Sequence, residues 1–272
     1  MGNARTALGL GRRGGRDRWQ VEAWGASPAQ ARAAVRALFS LDHPIEEFYR
    51  LVRAEPALRG TERTFRGLRL PRDAHLYEAL LHSIIGQQLS VASANAIKGR
   101  LFARLGRALE ADGVAVPCVP SPSQLLADGV SGLRSVGLSG AKARALLGLA
   151  AWASGSPPAL ERLAVAPLDS ARASLEELSG VGRWTAENAL LRGVGRKDVF
   201  VAGDLGLRIA LDRFGALSRT ASEEKARAWG ERCYPGWGSY ATLYLWRRLV
   251  SGRVGSDPVA ASPARGGAAR VR

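Results

Sequence analysis

The sequence predicts an all-α fold, and three observations carry that prediction. Between residues 40 and 252, apolar side chains recur three or four apart, the spacing that one buried face of a helix requires. Serine or threonine stands just ahead of several of these stripes, where a hydroxyl can accept the unpaired N–H groups of a first helical turn. No convincing set of strands interrupts the pattern.

Taken in order, the first ~18 residues are rich in Gly and Arg, lack periodicity and read as disordered. Trp19–Trp24 (WQVEAW) alternates like a strand, but a lone strand has nothing to pair with. Helical spacing begins at Pro28. A helix starting near Asp73 is expected to end at Gln87 and Gln88. Ser90 precedes the stripe Val91, Ala94, Ile97, Leu101 and Leu105; Ser139 precedes Ala143, Leu146, Leu147 and Ala150. Thr220 with Glu223 fits a capping box that opens a helix through Trp229. Tyr240, Leu243, Tyr244 and Arg247 share one face of a last long helix, and the chain from Ser256 again reads as disordered. The expected organisation is a basic, mostly disordered segment 1–39, a helical domain 40–252 and a disordered basic tail 253–272.

Composition narrows the function. The chain has 272 residues, 46% of them apolar, enough to bury a core. Two cysteines, Cys118 and Cys233, are too few for a disulfide framework or a four-thiolate cluster, and three scattered histidines make no metal site. No metal and no other cofactor is therefore expected. No apolar run has the length of a membrane helix or the layout of a signal peptide, so a cytoplasmic protein with no membrane partner is expected. The formal net charge is +15, of which the stretch between the two basic ends retains +7. Such a charge suits a polyanion, although arginines on solvated faces would produce the same count.

The sharpest local motif is Leu178-Ser179-Gly180-Val181-Gly182-Arg183, set between two helical stretches. Glycines there permit positive φ and let backbone N–H groups approach a phosphate without a side chain in the way. The N-terminus of the following helix adds partial positive charge at the same point. Gly180, Val181, Gly182 and Arg183 thus form a candidate grip on the DNA backbone, though most such Gly-x-Gly turns are plain turns.

Four ordered blocks supply the context. They are Leu81–Ser90 (LHSIIGQQLS); Val136-Gly137-Leu138-Ser139 with Lys142-Ala143; the hairpin with Lys197–Asp204 (KDVFVAGD) behind it; and Gly238-Ser239-Tyr240-Ala241 running to Trp246. Together they make residues from about 41 to 250 resemble the helix-hairpin-helix DNA glycosylases, in particular the AlkA type of 3-methyladenine glycosylase. That resemblance implies two helical subdomains flanking a cleft, and a DNA-associated, monomeric enzyme acting on double-stranded DNA with damaged bases. It implies that Asp204 is the catalytic carboxylate at the mouth of the base pocket; without the resemblance, the residue reads first as the cap of the helix that follows. Trp184 and Trp246 match pocket positions, and Tyr240 and Tyr244 could complete an aromatic cage or simply pack in the core. Gln88 matches the side chain inserted into the gap left by an extruded nucleotide, where the best-known members carry an apolar Leu. Ser139, Gly140 and Lys142 are candidates for a second phosphate contact.

Two departures matter. Strand-cleaving relatives carry a lysine after Gly-Val-Gly-Arg; here that position is Trp184, so a monofunctional enzyme leaving an abasic site is expected. Only about 40 residues precede the match, fewer than the N-terminal β domain of AlkA-type enzymes needs. Two other readings stay open: a non-catalytic DNA-binding module, and a glycosylase for deaminated or mismatched bases.

Overall fold

Serine caps fix where the helices begin. Ser27, Ser90, Ser121, Ser139 and Ser222 each adopt extended backbone and accept a hydrogen bond from the N–H three residues on. The computed structural model describes residues 7–12, 19–111, 113–155 and 157–254. A hairpin of β1 (Ala7–Arg12) and β2 (Trp19–Trp24) precedes α1 (Pro28–Leu38), α2 (Ile45–Ala54), α3 (Thr61–Thr64), α4 (Leu76–Gly86) and α5 (Val91–Leu105). A second hairpin, β3 (Ala108–Ala111) and β4 (Val114–Pro117), leads to α6 (Pro122–Ser135), α7 (Gly140–Ser154), α8 (Leu160–Val165) and α9 (Leu168–Glu176). Then come α10 (Arg183–Ala189), widening into a π turn over Leu190–Val194, and α11 (Leu205–Arg213), α12 (Glu223–Cys233) and α13 (Gly238–Val254). No helix among the described residues is long and apolar enough to cross a membrane.

Three expectations need correction. Trp19–Trp24 does have a partner: it pairs antiparallel with Ala7–Arg12, Ala7 opposite Trp24 and Arg12 opposite Trp19. Gly9 and Gly11 lower strand propensity in β1, which hid its Leu8/Leu10 alternation. The rest of the two stretches expected to be disordered, residues 1–6, 13–18 and 255–272, lies outside the described residues. The β3–β4 hairpin is also unanticipated, yet Asp112-Gly113 between alternating residues is a strong two-residue turn signal, and Gly113 has φ +74°. Finally, Ser222 rather than Thr220 caps α12, because the helix starts at Glu223; Thr220 pairs with the Ser218 hydroxyl instead.

One apolar core runs through the whole helical region, from Phe48 and Tyr49 through Ile84 and Leu146 to Tyr244 and Leu245. Within it α4 packs on α7 and α10, α6 on α7, and α9 on α10, while α11 and α12 pack on α13. The α9–α10 hairpin has a structural echo in α6–α7. Each has a positive-φ glycine (Gly180, φ +83°; Gly137, φ +98°), a buried apolar residue (Val181, Leu138), an extended cap (Gly182, Ser139), and a buried alanine five residues after the apolar one (Ala186, Ala143). The two hairpins abut where the Gly180 backbone meets the Ala145 side chain. Two helix N-termini with unpaired N–H groups are thereby brought to one region of the surface.

Candidate active site

Asp204 does two jobs at once. As cap of α11, its Oδ1 accepts from Leu207 N at 2.8 Å. The same oxygen accepts from Trp246 Nε1 at 2.8 Å, and Oδ2 accepts from Trp184 Nε1 at 3.2 Å. Three N–H dipoles from three different helices therefore aim at one carboxylate. Oδ1 holds two of these donors, so Oδ2 is the oxygen with acceptor capacity left for a substrate or water. Gly206 sits behind the pair: a Cβ there would lie 3.1 Å from Oδ1 and 3.7 Å from the Trp246 ring. Trp184 is half-buried, with Gly86 at the C-terminal end of α4 beside its far edge, 3.9 Å from where a Cβ would be.

The two tryptophans that the resemblance placed in the pocket and the two tyrosines left open between cage and core separate into two sets. Tyr240 and Tyr244 are fully buried. The Tyr240 hydroxyl pairs with His43 Nδ1 at 3.1 Å, and its ring meets Trp237 edge-on. The Tyr244 hydroxyl lies 3.2 Å from the Phe65 and Leu68 carbonyls. Neither tyrosine has a free face for a base, so both are core residues. The reason is helical geometry: at 3.6 residues per turn, Trp246 points about 200° away from Tyr244 around α13. Trp184 and Trp246 are the pair that the fold brings to Asp204.

At the hairpin, Gly180 and Gly182 are glycine for different reasons. Gly180 combines φ +83° with a Cβ position 2.5 Å from Ala145 Cβ, so both backbone and packing forbid a side chain. Gly182 has ordinary backbone, φ −94°, and a Cβ there would meet nothing within 4 Å. Its open side faces away from the protein. Arg183 is tied through Nε to Glu187 Oε1 at 3.0 Å, and its contact with Glu223 also uses Nε. Glu187 is almost wholly buried and also accepts from Arg227; burial pushes its carboxyl above the usual range, against the pull of both arginines. Sequence reading missed this cluster, for an Arg and a Glu four apart look like any exposed helical pair.

The segment after α4 holds further surprises. Gln87 and Gln88 are the central residues of a turn closed by Leu89 N donating to Gly86 O at 3.2 Å. Gln87 has φ −50° and ψ 127°, and Gln88 has φ 54°, an arrangement that normally asks for glycine at the second position. Gln88 is exposed. Lys142, expected as a phosphate ligand, donates instead to the Ile85 and Gln87 carbonyls at 2.8 and 2.6 Å, and burial pulls its pKa below the usual lysine value. The carbonyls at the end of α4, which lack intrahelical N–H partners, lie within its reach, which explains the correction. The Ser139 hydroxyl is exposed but accepts from Lys142 N as the cap of α7.

Comparison with known proteins bears on the fold and the family. The profile of the HhH-GPD superfamily base excision DNA repair protein matches residues 81–235. A DNA-3-methyladenine glycosylase of Bacillus subtilis is 27% identical over 215 residues, which are 78% of this chain and 69% of that protein. A probable bifunctional transcriptional activator/DNA repair enzyme AlkA of Mycobacterium tuberculosis is 34% identical over 222 residues, 80% of this chain and 42% of the relative. The solved 3-methyladenine DNA glycosylase from Archaeoglobus fulgidus superposes with a TM-score of 0.75 at 27% identity, covering 90% of this chain and 83% of that one. The profile match takes in more than half of the residues, from the middle of α4 through the hairpin to Asp204 and α12, and the chain belongs to the HhH-GPD superfamily of base excision DNA repair proteins.

Proposed function

We propose that this protein is a DNA glycosylase that hydrolyses the N-glycosidic bond of alkylated purines in duplex DNA and leaves an abasic site. The observation that carries the reading is the Asp204 carboxylate, held by the indole N–H groups of Trp184 and Trp246 at the N-terminus of α11. Loss of the base develops positive charge on the deoxyribose. A fixed carboxylate ~4 Å from that charge contributes about 4 kcal/mol at an effective dielectric near 20, about a thousandfold in rate.

Alkylation at a ring nitrogen makes the purine cationic and a better leaving group. The half-buried indole of Trp184 offers such a base a π face worth roughly 0.5–2 kcal/mol. Trp246 serves mainly as a hydrogen-bond donor to the carboxylate. The hairpin's N–H groups and the side-chain-free Gly182 grip a phosphate flanking the extruded nucleotide, with Arg183 beside them. Ser139 and Gly140, at the echoing α7 terminus, supply a second phosphate contact, and Gln88 fills the vacated place in the duplex. With Trp184 where strand-cleaving relatives hold a lysine, no amine at that position can form a Schiff base, so the enzyme is monofunctional.

The test is direct. Protein incubated with a methylated duplex should release free 3-methyladenine, and the strand should break only after added alkali. Salt-sensitive binding with no base released from any damaged duplex would show a binding module instead.

A further inference from the structure

Gln88 stands in a conformation it does not prefer. Left-handed backbone at a non-glycine residue costs on the order of 1–2 kcal/mol, and it persists only where the surroundings over-determine it. The surroundings here are four hydrogen bonds. The Lys142 ammonium, reaching from the first turn of α7, donates to the carbonyls on either side of Gly86, those of Ile85 and Gln87. The Gln87 side-chain amide then donates to Gly180 O at 2.8 Å and to Thr185 Oγ1 at 2.9 Å, joining the turn to the hairpin. The residue in the strained position is exposed, while the residue before it is spent wholly on anchoring. Strain held by one cation and one amide, drawn from two separate elements, is what a rigidly presented side chain requires.

We propose that Lys142 and Gln87 are positioning residues that lock the Gly86–Leu89 turn to α7 and to the hairpin, so that Gln88 is aimed into the duplex whenever the hairpin holds a phosphate. This rests on the reading of Gln88 as the inserted side chain. Because Gln87 bonds both to the hairpin's Gly180 carbonyl and to the first turn of α10, backbone grip and insertion share one rigid frame.

The experiment compares Lys142→Met, Lys142→Arg, Gln87→Leu and Gln88→Gly on a duplex carrying one 7-methylguanine opposite cytosine, with 2-aminopurine next to that cytosine. Base release is followed in single turnover, insertion by the 2-aminopurine fluorescence, and binding as a function of salt. Lys142→Met and Gln87→Leu should each slow release roughly 10- to 100-fold, the cost of a small misplacement. They should also lose the fluorescence change, as Gln88→Gly does, and keep the wild-type salt slope. Lys142→Arg, which still carries donors for both carbonyls, should recover most of the rate. Should Lys142→Met fail to fold, Gln87→Leu, which leaves the lysine contacts in place, carries the test. Wild-type rates and fluorescence in the folded positioning variants, with Gln88→Gly slow, would overturn the positioning role alone. Wild-type behaviour of Gln88→Gly would remove the insertion reading itself. A salt slope reduced by about 1 in Lys142→Met would make that residue a phosphate ligand and also overturn the proposal.

Discussion

Replacing Asp204 by Asn tests the carboxylate and its hydrogen bonds separately. The charge is lost, so release of 3-methyladenine should fall by the ~4 kcal/mol of the electrostatic contribution, close to a thousandfold. The cap survives, because Asn is as good an N-cap as Asp. Its amide oxygen can still accept from Leu207 N and Trp246 Nε1, the two donors on Oδ1. What changes is the other atom: an amide NH2 now meets Trp184 Nε1 where Oδ2 accepted at 3.2 Å. Donor facing donor in a half-buried site costs about 1 kcal/mol, or a fall of about 2–4 °C in Tm for a domain of this size. DNA affinity should hold or rise, since a negative charge beside the phosphates is gone. The assay is single-turnover release from methylated duplex, with binding by anisotropy and Tm by calorimetry. A double-mutant cycle with Trp184→Phe should recover the stability loss. Release within ~10-fold of the wild-type rate by folded Asp204→Asn would refute the electrostatic role, which demands far more.

Four further outcomes follow from the structure. Gly180→Ala should destabilise the fold by about 1–3 kcal/mol through its left-handed backbone and the Ala145 contact. Gly182→Ala should leave Tm nearly unmoved and weaken DNA binding; paired melting and binding curves distinguish the two, and equal effects would contradict the assignment. Trp246→Phe keeps an aromatic ring but removes one donor from Oδ1; a loss near 1.4 kcal/mol should lower kcat roughly tenfold with little change in KM, whereas a rise in KM alone would make Trp246 a base platform. Burial first, then Lys197, Arg72 and Arg69, hold the His43 imidazole below its ordinary pKa. The unfolded chain therefore takes up this proton more readily. The His43 contribution to stability should be intact above about pH 6.5 and lost as pH falls toward the folded-state value. Melting curves from about pH 7.5 to about pH 5 should show that decline in wild type and a smaller one in His43→Asn.

Asp204, Trp184 and Trp246 were singled out by the resemblance to helix-hairpin-helix glycosylases, while local sequence determined most of the helical pattern, the caps Ser90 and Ser139, and the glycine turn of the hairpin. The latter features depend on local physics: apolar period, capping chemistry and the backbone freedom of glycine act within one or two turns of the chain. The β1–β2 pairing escaped because glycines diluted the alternation, and the β3–β4 turn escaped although Asp112-Gly113 announced it. Helical period could already have parted Trp246 from Tyr240 and Tyr244, which face the core. Only tertiary structure decided that two indoles from α10 and α13 would converge on the cap of α11. It alone decided that Lys142 would hold carbonyls rather than phosphate, and that Gln87 would bridge to the hairpin. Those contacts join residues 20 to 93 positions apart, and a side chain's partner across such a distance is set by how helices pack, on which no local pattern reports.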